Sequence, residues 1–430
     1  PSGFTDSSTE ICDGADSDGN GQVDEGQTGW PGFCDRKALV PLQGYAFQFP
    51  LTYWQTAFDT RRDDPGFIDS RDATVTRADS SNPCKQEPYD LHRAFKALLT
   101  MYWATGQESY LEEAVDLADR MIAASDVYDP EWAAPVDTIK FDAWVAQQGT
   151  LRYWESPCYF EKYGQEYRYQ LNELQGLRGI SRLARVLAEI GDDRWHTYFD
   201  YADQVVSFYA MIGGIEPQID ISADKREHYV MNALDLFRAS GEQRLLDWAM
   251  ALNATLTDVT IADAEDADYV QITVAVSHGY EDMIRDVSHA NRCAELLRYW
   301  EENAIADTQR FLLPAVNTML FRFWENDPKV ALPADEYPHL YRNFTDGANG
   351  CVETGNPPYR MGNVTMGWHE LSRYDRRILY LMETLTHGLV EQTVIIRLPA
   401  ADGCVENGNT NYSNILPAIA EMAYAHTYGS

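Results

Sequence analysis

Apolar residues recur at helical spacing through most of the chain, and the runs come in pairs. Leu91, Phe95, Leu98 and Tyr102 mark one helix that stops at Thr105-Gly106, and Leu111, Val115, Ala118 and Ile122 mark a second directly after it. The punctuation repeats. A helix over 171–190 stops at Gly191 and is followed by a run from Trp195 to Tyr209; one over 229–240 stops at Gly241 and is followed by Leu245 to Leu252. Glycine at the stop followed by two or three polar residues is a helix C-cap leading straight into a new helix. Links this short make the two helices antiparallel neighbours. Further runs predict helices over 279–300, 311–323 and 375–389, a low-contrast one within 45–58, and a strand over 393–398.

The links between pairs are long, through 154–169, 262–278 and 328–358, and each precedes the first helix of a pair. One of them carries half of an internal repeat. Gly350-Cys-Val-Glu-Thr-Gly-Asn-Pro-Pro-Tyr359 matches Gly403-Cys-Val-Glu-Asn-Gly-Asn-Thr-Asn-Tyr412 at seven of ten positions. Equivalent loops before successive helical segments indicate a repeated helix-hairpin architecture. Five or six such pairs, with long loops feeding the start of each first helix, predict a mostly α fold of the (α/α) toroid type over 36–430. An open solenoid would show more uniform repeat lengths.

Residues 1–35 form a separate module. In Asp16-Ser-Asp18-Gly-Asn20-Gly-Gln22-Val-Asp24, oxygen-bearing side chains alternate around a glycine. Asp16, Asp18, Asn20, the carbonyl of Gln22 and Asp24 match the alternate ligand positions of a calcium loop. Gln27 stands where a full EF-hand has its bidentate Glu. The loop therefore resembles the shorter thrombospondin type 3 and dockerin repeats, and structural Ca2+ is the expected cofactor. Cys12 and Cys34 flank it.

Composition narrows the partners. A net charge of −33 opposes nucleic acid and anionic membranes. No apolar run is long enough to span a bilayer. The seven cysteines lack a zinc-like C-x-x-C pair, and most lie in Gly/Pro/Asp-rich loops, which predicts disulfides and a secreted, extracellular protein. Cys351 and Cys404 can pair through the repeat, while Cys293, mid-helix among packing residues, is the candidate to stay outside the disulfides. The 11 Trp and 26 Tyr suit sugar stacking as well as a large core.

The candidate chemistry gathers on Gly279–Trp300. Read as a helix, it aligns Arg285, His289 and Arg292 on one face, with Tyr280 at its start. Together with Tyr169-Gln-Leu-Asn172-Glu173, Glu227-His228-Tyr229, Asp286-Val-Ser-His289-Ala-Asn-Arg292 and Gly367-Trp368-His-Glu-Leu-Ser-Arg-Tyr374-Asp, this stretch resembles the toroid polysaccharide lyases, the alginate and glucuronan lyases among them. The resemblance spans roughly residues 90–425, is architectural, and rests on short local matches. It implies β-elimination on a uronic-acid-containing glycan, without a catalytic metal. Asn172 and His228 would meet the sugar carboxylate. His289 would be the base and Tyr280 the acid, with Tyr359 and Tyr412 as rivals. Arg285, Arg292 and Arg360 would make the site locally basic, and Trp368 would be a sugar platform. One alternative is a toroid glycoside hydrolase using two carboxylates from Glu173, Glu281, Asp282, Asp286 and Glu370, which suits the acidic balance and a neutral glycan. Another is a non-catalytic calcium-binding surface or filament subunit capable of self-assembly.

Overall fold

The computed structural model describes residues 38–65, 68, 71–72, 75, 88, 91–127, 152–154, 170–213, 223–259, 269–270, 287–304, 309–325, 340–341, 367–391 and 415–428. The helices are α1 (Leu51–Arg62), α2 (Leu91–Thr105), α3 (Glu108–Ala124), α4 (Gln170–Ile190), α5 (Trp195–Gly213), α6 (Ala223–Ser240), α7 (Gln243–Val259), α8 (Val287–Glu302), α9 (Gln309–Thr318), α10 (Arg376–Val390) and α11 (Ile415–Tyr428), with a 3-10 segment at Trp368–Arg373.

Their packing closes a ring. In turn α2 lies against α4, α4 against α6, α6 against α8, α8 against the 3-10 segment, that segment against α11, and α11 against α2. An outer layer backs this inner one: α3 on α2, α5 on α4, α7 on α6, α9 on α8, α10 on the 3-10 segment and α1 on α11. The fold is an (α/α) toroid with, among the described residues, six inner members.

The predicted pairs α2/α3, α4/α5 and α6/α7 stand where the glycine stops placed them. Gly106, Gly191 and Gly241 take φ of 69°, 76° and 73°, the left-handed region open to a residue without Cβ. Each closes its helix by donating its N–H to a carbonyl of the last turn: Gly106 to Tyr102 at 2.7 Å, Gly191 to Ala188 at 3.1 Å, Gly241 to Phe237 at 2.7 Å. The helix predicted over 375–389 appears as α10, with the Asp375 side chain accepting from the Arg377 N–H as N-cap.

Several boundaries differ from the sequence reading. α6 begins at Ala223 and α7 runs on to Val259, because polar first and last turns extend both beyond their apolar stripes. α8 begins at Val287, so 279–286 lies outside the described residues. Pro314 interrupts the ladder of α9, which ends in a π-helical turn at Met319–Phe323. The low-contrast helix within 45–58 is α1, shifted to Leu51–Arg62 behind Pro50. Two small ladders pair Asp126–Val127 with Arg152–Tyr153 and Trp324–Glu325 with Leu340–Tyr341. The calcium loop with Asp16, Asp18, Asn20, Gln22 and Asp24, and the strand over 393–398, lie outside the described residues.

The inner helices approach closely where α4 carries glycine. A Cβ on Gly179 would stand 2.1 Å from Phe95 Cδ2, and one on Gly176 would stand 2.6 Å from Pro88 Cβ. The segment before α1 straps the N-terminal side onto α10. Asp375 Oδ2 accepts from Val40 N at 2.9 Å, and Glu383 accepts from the Tyr45 hydroxyl at 2.7 Å and from Gln48 N at 2.9 Å. Apolar side chains fill the gap between the inner and outer layers, with Trp54, Trp300 and Trp368 fully buried. Cys293 is buried in α8 among them. None of the described helices is long and apolar enough to cross a membrane.

Candidate active site

Short turns join the C-terminal ends of α2, α4, α6 and the 3-10 segment to their outer partners, so the starts of these inner members share the opposite end of the ring, where the long links enter. This end is the mouth. Side chains from the first two turns of the inner helices converge there although they are far apart in sequence. Arg292 of α8 donates from Nε to His228 Nε2 of α6 at 2.8 Å, and from Nη2 to Gln175 Oε1 of α4 at 2.9 Å. Gln175 Nε2 lies 3.2 Å from His92 Nδ1 of α2. Asn172 stands three residues before Gln175, on the same face of α4, and is buried. Burial, reinforced by the positive charges of Arg292 and Arg178, holds His228 well below the ordinary imidazole range, so it is neutral at neutral pH.

One turn deeper, ion pairs fill the axis. Glu295 pairs with Lys96 and, at 2.5 Å, with Arg178. Glu370 pairs with Lys96 and, at 3.0 Å, with Arg298. Burial pushes both carboxyl groups up, but the cations win. Arg178 and Lys96 hold Glu295 well below the usual carboxylate range, and Arg298 and Lys96 hold Glu370 at about 2. Deeper still, Asp235 accepts from the Tyr299 hydroxyl at 2.8 Å and from Arg185 at 3.2 Å. Among the described residues the axis below the mouth is thus filled by buried ion pairs.

The structure brings Asn172, His228 and Arg292 of the sequence-derived set to this mouth. The His289 backbone lies in the first turn of α8, while its side chain is outside the described set. Tyr280, Arg285, Tyr359, Arg360 and Tyr412 also lie outside the described residues. Trp368 is fully buried, and stacking on a sugar asks for an exposed ring face that it does not present. Of the carboxylates considered for hydrolysis, Glu173 is engaged on both oxygens, accepting from Tyr209 Oη at 2.6 Å and from Trp154 N at 3.2 Å. Glu370, ionised and paired deep on the axis, has no proton to give as a general acid. Sequence reasoning passed over His92 and Gln175. The available signal was Gln175 at i+3 from Asn172, and a histidine at the start of the first inner helix.

No family model matches the chain, and neither does the sequence of any curated protein. Solved structures of similar fold include the GH76A α-1,6-mannanase of Salegentibacter sp. HEL1_6, as an inactive variant in complex with α-1,6-mannotriose. It shows 12% identity and a TM-score of 0.46, covering 87% of this chain and 99% of that one. A family 76 glycoside hydrolase from a bovine Bacteroides thetaiotaomicron strain gives 12% and 0.46, with 78% and 69% covered. A glycosyl hydrolase of family 88 from Bacteroides vulgatus gives 12% and 0.46, with 89% and 100% covered. At this identity the likeness concerns the fold alone.

Proposed function

We propose that this chain is a glycan-cleaving enzyme whose site is the mouth of the ring. The observation that carries the reading is the convergence of His92, Gln175, His228 and Arg292, from four inner helices, on one buried polar cluster at the end where the long links enter. A cluster rich in hydrogen-bond donors, next to Asn172, is suited to hold the hydroxyl and carboxylate oxygens of a sugar.

Two bond-breaking chemistries belong to this reading. The solved structures of similar fold named above are glycoside hydrolases, and the −33 net charge suits a neutral glycan. Hydrolysis requires two carboxylates across the scissile bond. Glu281, Asp282 and Asp286, just before α8 in sequence, are the candidates left once Glu173 and Glu370 are seen to be engaged. Elimination on a uronic-acid-containing glycan is favoured by a specific observation: the Arg292 guanidinium and the neutral His228 stand together at the mouth, a pairing suited to a sugar carboxylate. Asn172 would share that role, with His289 and Tyr280 as base and acid and with Arg285, Arg360, Tyr359 and Tyr412 lining the cleft. In both readings the protein is secreted and the N-terminal loop holds Ca2+ structurally.

The test is a screen of neutral and acidic polysaccharides with wild type, His228→Ala and His289→Ala, following reducing ends and ultraviolet absorbance together. Reducing ends alone mean hydrolysis. Reducing ends with an absorbing unsaturated product mean elimination. No cleavage of any glycan by folded wild type removes the enzyme reading and leaves the alternative of a calcium-binding surface subunit.

A further inference from the structure

Arginine offers five donors and no acceptor, so its contacts set the direction of every hydrogen bond they touch. Arg292 Nε donates to His228 Nε2, which must therefore carry a lone pair, and the proton of neutral His228 resides on Nδ1. Arg292 Nη2 donates to Gln175 Oε1, which turns the Gln175 amide so that its NH2 faces His92 Nδ1. That NH2 is a donor, so His92 Nδ1 accepts and its own proton resides on Nε2. His228 is fully buried, and its Nδ1 has no hydrogen-bond partner among the described residues.

We infer that Gln175 and His92 are positioning residues which, through Arg292, lock the two mouth histidines into opposite tautomers, His92 as Nε2–H and His228 as Nδ1–H. His228 is then a proton-bearing donor held ready for an acceptor oxygen, not a base. The charged and titratable groups around it are Arg292 of α8, Arg178 of α4, His92 of α2 and Glu295 of α8, and the two arginines oppose its protonation. The consequence for the chemistry rests on the mouth being the active site; the tautomers themselves do not. If a base works here, it is another group.

The experiment is nitrogen NMR of the whole protein with imidazole-labelled histidine, using His92→Gln and His228→Gln to assign two of the nine histidines. The expected spectrum shows His228 protonated on Nδ1, unchanged down to mildly acidic pH, and His92 protonated on Nε2. Gln175→Glu is the decisive variant. Its carboxylate still accepts from Arg292 but cannot donate, so His92 should switch to carry its proton on Nδ1 while His228 stays as it was. A purely structural role for Gln175 would leave His92 unchanged. His228 protonated on Nε2, or titrating near an ordinary imidazole value, overturns the inference. Wild type alone decides this if Gln175→Glu fails to fold. Correct tautomers with no glycan cleaved would leave the inference standing and defeat the functional reading; cleavage with the opposite tautomers would do the reverse.

Discussion

Replacing Glu295 by Gln tests whether the axis is held by charge. In the folded protein Lys96, Arg178 and Arg298 face two carboxylates, Glu295 and Glu370, with each side chain at most 5% exposed. The substitution keeps the volume of Glu295 and one acceptor oxygen, but deprives buried Arg178 of its paired carboxylate and leaves Lys96 and Arg298 to share Glu370. Desolvated charge deprived of its partner costs about 3–5 kcal/mol. The comparison is Glu112→Gln, which breaks a pair with Arg194 whose side chains are 55% and 40% exposed. Solvent screens such a pair to about 0.2–1 kcal/mol. Urea unfolding followed by circular dichroism gives both values from the midpoint shift at a common slope. The pH dependence supplies the sign. Glu370 is held at about 2 in the folded state against an unperturbed 4.5, so its stabilisation is complete above 4.5 and fades as pH falls toward 2. Glu295 behaves in the same direction, so Glu295→Gln should show a shallower acid loss than wild type. The reasoning is refuted if Glu295→Gln loses no more than Glu112→Gln, or if its acid profile matches that of wild type.

Other expectations follow from single contacts. His228 is kept neutral when folded but takes a proton below its ordinary 6.5 when unfolded, so acidification below that value favours unfolding; His228→Gln should flatten the stability profile there by up to about 1.4 kcal/mol per pH unit in urea titrations. Gly179→Ala should destabilise by about 1–3 kcal/mol by calorimetry, since its Cβ would meet the Phe95 ring and force α2 and α4 apart; an unchanged melting temperature would show that the ring yields freely. Tyr209→Phe removes the hydroxyl donating to Glu173 Oε2 and should cost about 1.5–3 kcal/mol in the same assay, while a neutral result would mean that water replaces it.

The pairing of helices was legible in the chain because its cause is local. Apolar residues at helical spacing define each buried stripe, and Gly106, Gly191 and Gly241 supply the positive φ that ends a helix cheaply, so α2 to α7 could be read in order. Asn172, His228 and Arg292 could be singled out because polar residues at the start of an otherwise apolar inner helix have few structural uses. What remained hidden depends on distant partners. Nothing near α1 announces that it backs α11, more than three hundred residues later, because ring closure is decided by which faces are left uncovered once the other pairs have stacked. Likewise Lys96 and Glu295 read as ordinary surface charges on their helices, Glu370 as a candidate catalytic carboxylate, and Gln175 and His92 as incidental polar residues. Only the closed ring removes them from water and brings them within hydrogen-bonding reach, where an unpartnered charge is too costly to keep. Sequence alone determined the paired helices and their stops and put Asn172, His228 and Arg292 near the starts of inner helices; the tertiary structure decided the closure, the ion pairs along the axis and the hydrogen-bond direction at the mouth.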